Sequence, residues 1–362
     1  MLNIAYFISP HGFGHASRSV SVMQTILQRN PEVHFQIYTL IPEWFFSDTL
    51  PACFTLHRVR SDVGLIQRTP LEEDLPATLA ALREFFPFKE TVLMELSNSL
   101  KNTNCACAIC DISPLGIAVA QQAGVPSILV ENFTWDWIYE GYLSLQPELM
   151  ETIPGLQSVF RQADYHFQTR PFCQADPYAN LITHPVSRAP KNSAQQTRLR
   201  LGITDSKPMV LITMGGIPEK YSALEKLRGF QDCWFVLPGS SDSHQVRDNL
   251  ILLPHRSQFY HPDLVNASQT VIGKLGYSTI SEVYHAGIPF GFIPRENFRE
   301  SPLLAEYVEK NFQSLCILEK DFYAGNWLIS LPTLLSAPRI IRQVPNGAEQ
   351  ICEFIFNNVF AC

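Results

Sequence analysis

Along this chain, apolar runs of strand length alternate with amphipathic runs of helical period, and the whole alternation occurs twice. The first series contains "LNIAYFIS", "HFQIYTLI", "CACAICDI" and "PSILVEN"; the second contains "MVLITM", "CWFVLP", "NLILLP", "QTVI" and "FGFIP". Helical stretches lie between them. In "SRSVSVMQTILQRN", for instance, Val20, Met23, Ile26 and Leu27 share one face. Strands that alternate with helices predict parallel sheets covered on both faces. The two series also echo each other locally. "AQQAGVPSILV" and "VYHAGIPFGFI" each run helix, Ala-Gly, branched apolar residue, Pro, strand. Glycine suits the left-handed residue after a helix, and proline stops the helix from continuing. Within the first series Pro87 interrupts a long helical stretch.

A polar, proline-bearing stretch, "HPVSRAPKNSAQQTRLRLGITDSKP", separates the series. The predicted division is an N-terminal α/β domain over 1–188, a C-terminal α/β domain over 189–345, and a last helix over 346–362. That last helix is amphipathic, with Ile351, Phe354 and Ile355 on one face, and is expected to pack back towards the N-terminal domain. With 362 residues and 46% hydrophobic content the chain can bury two cores.

Charge narrows the function classes. Net charge is −7, from 27 Lys plus Arg against 34 Asp plus Glu, which argues against a broad nucleic-acid surface. A local nest of amides can still hold a small anion. The start, "MLNIAYFISP", has no basic region and no cleavage site of small residues, so no signal peptide is expected. No window has the roughly 18 apolar residues of a membrane helix. The nine cysteines are an odd count in mostly apolar surroundings, which predicts free thiols and a cytoplasmic protein. Cys105, Cys107 and Cys110 lie close together. They read as small buried hydrophobes on a strand, because a zinc site wants a fourth ligand and a turn.

Two glycine loops carry the candidate chemistry. "SPHGFGHASR" follows the first strand and opens a helix, the place where ligands bind in an open parallel sheet. It is not a Walker loop, since no Gly-Lys-Ser/Thr follows. It is a poor dinucleotide fingerprint, since Gly12 and Gly14 fit but Ser17 stands where a third glycine belongs. His15, at the start of the helix, is expected to stay neutral under the positive end of the dipole, either as a general base or as a cap of the turn. The second loop, "VIGKLGYSTISEV", places Gly273, Lys274, Gly276, Ser278 and Thr279 at a helix start suited to an anion. Glu282 reads either as an acceptor for ribose hydroxyls or as the carboxylate of a Thr279–Glu282 capping box. Gly215 and Gly216, in "MGG", offer a third approach to phosphate.

Together these segments resemble the GT-B glycosyltransferases. They are most similar to the glycosyltransferase-like N-terminal half of plant L-arabinokinases, through "HGFGHASR", "NFTWDWIY", "GKLGYSTISEV" and "FRESPLL" in that order. A more distant likeness is to the N-acetylglucosaminyltransferase that forms lipid II. The resemblance implies a GT-B fold, two Rossmann-like doubly wound domains facing a central cleft. It implies transfer of a sugar from a nucleotide-sugar, with UDP favoured, to an acceptor hydroxyl with inversion and without bound metal or other cofactor. The kinase half has no counterpart here, so sugar kinase activity is not expected. The glycine-loop helix from Gly273 to Thr279 would bind diphosphate, and Glu282 the ribose. Glu300 would read donor-sugar hydroxyls, although Ser301 departs from the family's usual glutamine. Arg295 and Arg299 would flank phosphate or stand in a solvated loop.

His15 would be the base and Asp111 its orienting carboxylate, or else Asp111 would cap the helix after it. His11 is the second choice of base. On the acceptor side, Gly12 and Gly14 would allow close approach. Phe133, Trp135, Trp137, Tyr139 and Tyr142 offer aromatic faces or packing, and Glu131 and Asp136 could bind sugar hydroxyls. Two other readings remain: a catalytically silent module that binds nucleotide-sugars, and a UDP-sugar 2-epimerase on the same fold. The acceptor and the oligomeric state are not legible.

Overall fold

A computed structural model of the chain describes residues 2–69, 72–215 and 223–360. Gly216, one of the expected phosphate-loop glycines, lies outside the described residues. The chain divides into two compact units. One comprises Met1–Val186, Phe298–Glu300 and Pro345–Cys362; the other comprises Ser187–Asn297 and Ser301–Val344. The three-residue return at 298–300 is a feature that composition and periodicity do not announce.

The N-terminal unit contains β1 (Leu2–Ile8), β2 (Val33–Thr39), β3 (Phe54–Arg58), a small antiparallel pair β4 (Gln67–Thr69) and β5 (Glu72–Glu73), β6 (Cys105–Asp111), β7 (Ser127–Glu131), β8 (Tyr165–Thr169) and β9 (Leu181–Thr183). Seven of these form one sheet in the order β3-β2-β1-β6-β7-β8-β9, every neighbouring pair parallel. Strand order therefore reverses between β1 and β6, and at such a switch point the loops diverge and leave a crevice.

Both faces of this sheet are buried, which explains its near-continuous apolar strands. Ile4, Tyr6 and Ile8 of β1 face the helix Phe13–Arg29 and the last helix, Gly347–Phe354. Ala5 and Phe7 face the opposite layer, which includes the helices Leu75–Phe85 and Glu90–Asn102, broken apart at Pro87, and Pro114–Ala123. The cysteines of β6 divide between these layers, Cys107 on one side and Cys105 and Cys110 on the other. Asn346 caps the last helix, its side chain accepting from the amide of Ala348 at 3.0 Å, and Ile351 and Ile355 are fully buried.

The C-terminal unit repeats the plan. Its strands are β10 (Met209–Thr213), β11 (Trp234–Pro238), β12 (Gln245–Arg247), β13 (Leu250–Leu253), β14 (Thr270–Lys274), β15 (Phe290–Ile293) and β16 (Ser314–Cys316). They lie in the order β12-β13-β11-β10-β14-β15-β16, parallel except for the edge strand β12. Here the order reverses between β10 and β14. The echoing turns have the backbone expected of them: Gly124 and Gly287 close their helices in the left-handed region, with φ of 69° and 68°.

Candidate active site

In the N-terminal unit the switch point gathers the opening loop. Gly12 is the N-cap of the helix Phe13–Arg29, and no side chain caps it. His15 is therefore not a cap. Its Nδ1 lies 2.8 Å from Oδ1 of Asp111, the last residue of β6 and the register partner of Ile8. Nor does Asp111 cap the following helix. Ser113 does, accepting from the amide of Gly116 at 3.1 Å. Ile112, directly after Asp111, is fully buried with φ of 42°. A β-branched residue is strained there, and such strain concentrates at functional sites.

One residue of the opening motif went unassigned in the sequence. Arg18, 1% exposed, holds Asp111 in a two-pronged grip, with Nε 2.7 Å from Oδ2 and Nη2 2.8 Å from Oδ1. Its Nη1 donates to Asn132 Oδ1 at 2.7 Å and to Thr169 Oγ1 at 3.3 Å. Burial alone would raise the Asp111 carboxyl, but the Arg18 charge and the bonds from Arg18 and His15 outweigh it and hold the group below the usual range. With an ionised carboxylate at Nδ1, the proton of the imidazole sits on Nδ1. Nε2 is then the basic nitrogen, and it has no hydrogen-bond partner among the described residues. His15 is 9% exposed and its pKa is lowered, as the neutral-base reading requires. The leading cause is burial, with the Arg18 charge adding to it against the pull of Asp111.

Aromatic edges wall this imidazole. Phe133 lies 6.1 Å away and edge-on, Trp135 lies 6.3 Å away, and His11 lies 6.5 Å away. His11 packs edge-on against Trp135 at 5.1 Å. Of the expected aromatic faces, Phe133, Trp135, Tyr139 and Tyr142 are buried packing, while Trp137 is half-buried. Trp135 also exposes a residue the sequence did not single out. Its Nε1 donates to Asp62 Oδ2 at 2.9 Å, and Asp62 Oδ1 is buried without a hydrogen-bond partner. Burial pushes the Asp62 carboxyl up to about 7. Nearby Asp111 raises it further, and bonds from Ser9 and Trp135 oppose the shift.

The remaining acceptor-side residues separate. Gly14 lies in the first turn of the helix. Glu131, at the end of β7, is 3% exposed and accepts from Gln168 Nε2 at 2.7 Å, with His166 Nε2 at 2.8 Å. Asp136 is 8% exposed, and burial raises its carboxyl. Glu300 and Arg299 belong to this unit through the short return. The Arg299 guanidinium lies 4.2 Å over the Trp137 ring, and its Nη1 donates to Glu140 Oε2 at 2.9 Å and to the Trp137 carbonyl. Asn132 Nδ2 donates to Glu300 Oε1 at 2.6 Å.

In the C-terminal unit the expected donor residues converge on the reversal between β10 and β14. Gly273 lies inside β14, not in a loop, paired with Thr213, and a Cβ there would collide with the Thr213 carbonyl oxygen. A Cβ on Gly215 would stand 3.5 Å from Lys274 Cε, so the lysine stem runs beside that glycine. Gly276 is the N-cap of the helix Tyr277–Ala286, which has no side-chain cap. The Thr279–Glu282 capping box is therefore corrected: both residues lie inside the helix, Thr279 at its third position. Ser278 is half-buried in the first turn.

Glu282, 4% exposed, instead accepts from Arg188 Nη2 at 2.9 Å and Nε at 3.2 Å, with His261 Nδ1 at 2.6 Å. Burial would raise its carboxyl, but Arg188 and His261 hold it low. His261 Nε2 lies 3.2 Å from Thr213 Oγ1. Neither Arg188 nor His261 bears a motif in the sequence. The amide of Arg295 donates to Ser301 Oγ at 2.9 Å, so Ser301 caps this turn. No helix among the described residues is long and apolar enough to cross a membrane. No group of three His, Cys, Asp or Glu among them is disposed to hold a metal ion.

No protein-family model matches the chain. An L-arabinokinase of Arabidopsis thaliana is 27% identical over 353 residues, 96% of this chain, and the chain spans 33% of that protein's length. Among solved structures, the glycotransferase of kitacinnamycin superposes with a TM-score of 0.68 at 14% identity, covering 99% of each chain. MurG of Acinetobacter baumannii gives 0.60 at 12%, covering 99% of this chain and 100% of its own. A Medicago truncatula protein complexed with UDP-glucose gives 0.62 at 13%, covering 99% and 98%. The chain has the GT-B fold of the glycosyltransferases.

Proposed function

We propose that the protein is a glycosyltransferase that moves a sugar from a nucleotide-sugar, of the UDP type, to an acceptor hydroxyl with inversion. The observation that carries this is the His15 imidazole on a GT-B fold. Asp111 fixes its Nδ1–H tautomer, burial keeps it neutral, and its Nε2 has no partner among the described residues. A neutral base with one committed nitrogen is suited to a hydroxyl proton. In the proposed reaction Nε2 takes the acceptor's proton. The oxygen lone pair forms a bond to the sugar C1, and the bond from C1 to the diphosphate oxygen breaks, its electrons leaving with the nucleotide. One displacement inverts C1. Asp111 then stabilises the imidazolium.

The donor's diphosphate is assigned to the N-terminus of the helix Tyr277–Ala286, with Lys274, Gly276, Ser278 and Thr279 beside it and Gly215 opposite. That dipole and Lys274 supply the charge that stabilises the leaving group, which supports a reaction with no resident metal. Arg295 is placed on the donor side. Glu282 is assigned the ribose only through the oxygen positions left beside Arg188 and His261. His11, packed on the buried Trp135, borders the acceptor, and Asp136 follows Trp135 in the first turn of the helix Trp135–Glu140.

The test incubates the protein with a panel of UDP-sugars and follows UDP release, first as slow hydrolysis and then with candidate hydroxyl acceptors. UDP release that His15→Ala abolishes supports the proposal. Binding without UDP release would sink it and favour a silent nucleotide-sugar-binding module, a reading the partial match to an L-arabinokinase makes reasonable. An isomeric UDP-sugar as product would point to a 2-epimerase.

A further inference from the structure

The side chains behind His15 and Asp111 form an unbroken buried line. Arg18 binds Asp111 through two nitrogens and passes its third, Nη1, to Asn132 Oδ1 at 2.7 Å; Asn132 Nδ2 in turn donates to Glu300 Oε1 at 2.6 Å. Arg18 and Asn132 are each 1% exposed, and Glu300 is 4% exposed. The amide has only one orientation that suits both ends. A guanidinium only donates and a carboxylate only accepts, so the oxygen must face Arg18 and the nitrogen Glu300. Charge alternates along the line, and each buried ion meets a partner. An apolar core of the same volume would be no less stable. What a satisfied polar network adds is one fixed geometry.

We propose that Arg18, Asn132 and Glu300 are positioning residues for the base of the N-terminal unit. They lock Asp111, and through it the His15 tautomer that leaves Nε2 for the acceptor hydroxyl. Glu300 on this account serves the base, not the donor sugar. The proposal rests on the reading of His15 as a transferase base. The groups that face His15 are Arg18 from its own helix, Asp111 from β6, His11 from the preceding loop at 6.5 Å, and the uncharged rings of Phe133 and Trp135. Asp62 stands behind Trp135. Among the charged neighbours, Arg18 opposes protonation of His15 and Asp111 favours it.

The experiment uses the full chain with nitrogen-15 labelled histidine, His15 being assigned by the resonance missing from His15→Gln. In the wild-type protein the expected spectrum is that of the Nδ1–H tautomer, with a midpoint below the usual histidine value. Arg18→Leu should raise that midpoint by about one pH unit, roughly tenfold in proton affinity. Arg18→Lys should restore most of the shift while mixing the tautomers. An unchanged midpoint in folded Arg18→Leu would overturn the proposal. If that variant does not fold, Asn132→Ala is read in its place, where mixed tautomers are expected and an undisturbed tautomer overturns it.

Glu300→Gln separates positioning from donor reading. Calorimetric affinity for a UDP-sugar should stay within about twofold, while turnover falls about tenfold and the tautomers mix. Weaker donor binding with an unaltered His15 spectrum would return Glu300 to the donor sugar. If the wild-type protein releases no UDP from any donor, the transferase reading fails by itself. The midpoint and tautomer measurements still decide whether these residues position His15.

Discussion

At the switch point of the N-terminal sheet, Asp111 is covered by Arg18 and His15; in the C-terminal unit, Glu282 is covered by Arg188 and His261. Each trio sets one carboxylate against one guanidinium fork and one imidazole Nδ1. They differ at the far ring nitrogen. His15 Nε2 has no partner among the described residues, and burial lowers the imidazole's pKa. The His261 side chain is 26% exposed, and its Nε2 meets Thr213 Oγ1 at 3.2 Å. The same trio thus leaves one imidazole nitrogen without a partner among the described residues in one unit and ties a helix to a strand end in the other. Residue types alone do not separate these uses; the partner of the second nitrogen does.

The comparison breaks most visibly at Asp111. Asp111→Ala should leave Arg18 buried without its counter-ion, costing about 3–5 kcal/mol of stability. Chemical denaturation measures that loss, and UDP release should fall with it. A variant as stable as the wild-type protein would remove Asp111 from the centre of the network. The imidazoles come next. His15→Ala should lower transfer by roughly 10²–10⁴-fold with UDP affinity retained, whereas His261→Ala should weaken nucleotide binding and leave the acid limb of the pH–rate profile in place. Equal losses in both variants would mean that the two imidazoles serve the same role. Because the His15 pKa is lowered, the base is lost only on acidification below the usual histidine range. The wild-type rate should therefore hold constant from above pH 7 down through the usual histidine range and fall only below that range.

Arg188→Leu sharpens the contrast from the other side. It should destabilise the protein on the scale of a broken buried pair, about 3 kcal/mol or more. The His15 resonances should not move, because Arg188 and Glu282 lie in the other unit. A shifted His15 midpoint would contradict that independence. The smallest effect belongs to Asp62, whose folded pKa of about 7 lies above its unfolded value. A raised pKa means the folded state keeps a proton that the unfolded chain has lost. Stability from this group is complete in acid and declines as pH rises towards 7. Asp62→Asn should flatten the fall in melting temperature between pH 5 and pH 7 measured by calorimetry. An unchanged slope would place the titration elsewhere.

Much of the fold can be read from the chain because a parallel sheet buried on both faces writes itself as apolar runs of fixed length between helical periods. The turns at Gly124 and Gly287 are legible for the same local reason. The opening loop is legible as a turn between a strand end and a helix, with His15 in the first turn of that helix. Arg18 stands in the motif yet carries no signal, because an arginine one turn into a helix ordinarily points to solvent. Asp62, Asn132 and His261 had no motif either. Each matters through a partner distant in sequence, such as Trp135 for Asp62 and Glu282 for His261. The capping box was a local pattern that tertiary structure overrode. The backbone enters the helix at Gly276, so Glu282 falls where Arg188 and His261 reach it.

The two α/β units, their helix-closing turns and the placement of His15 beyond a strand end are thus legible in the chain, all consequences of periodicity and backbone preference within a few residues. Which carboxylate meets which cation, that Phe298–Glu300 returns to the N-terminal unit, and which imidazole nitrogen is left without a partner among the described residues are visible only in the fold. Those are matters of pairing across long loops. The requirement that a buried charge find a partner dictates that a pair exists, but the folded geometry chooses its members.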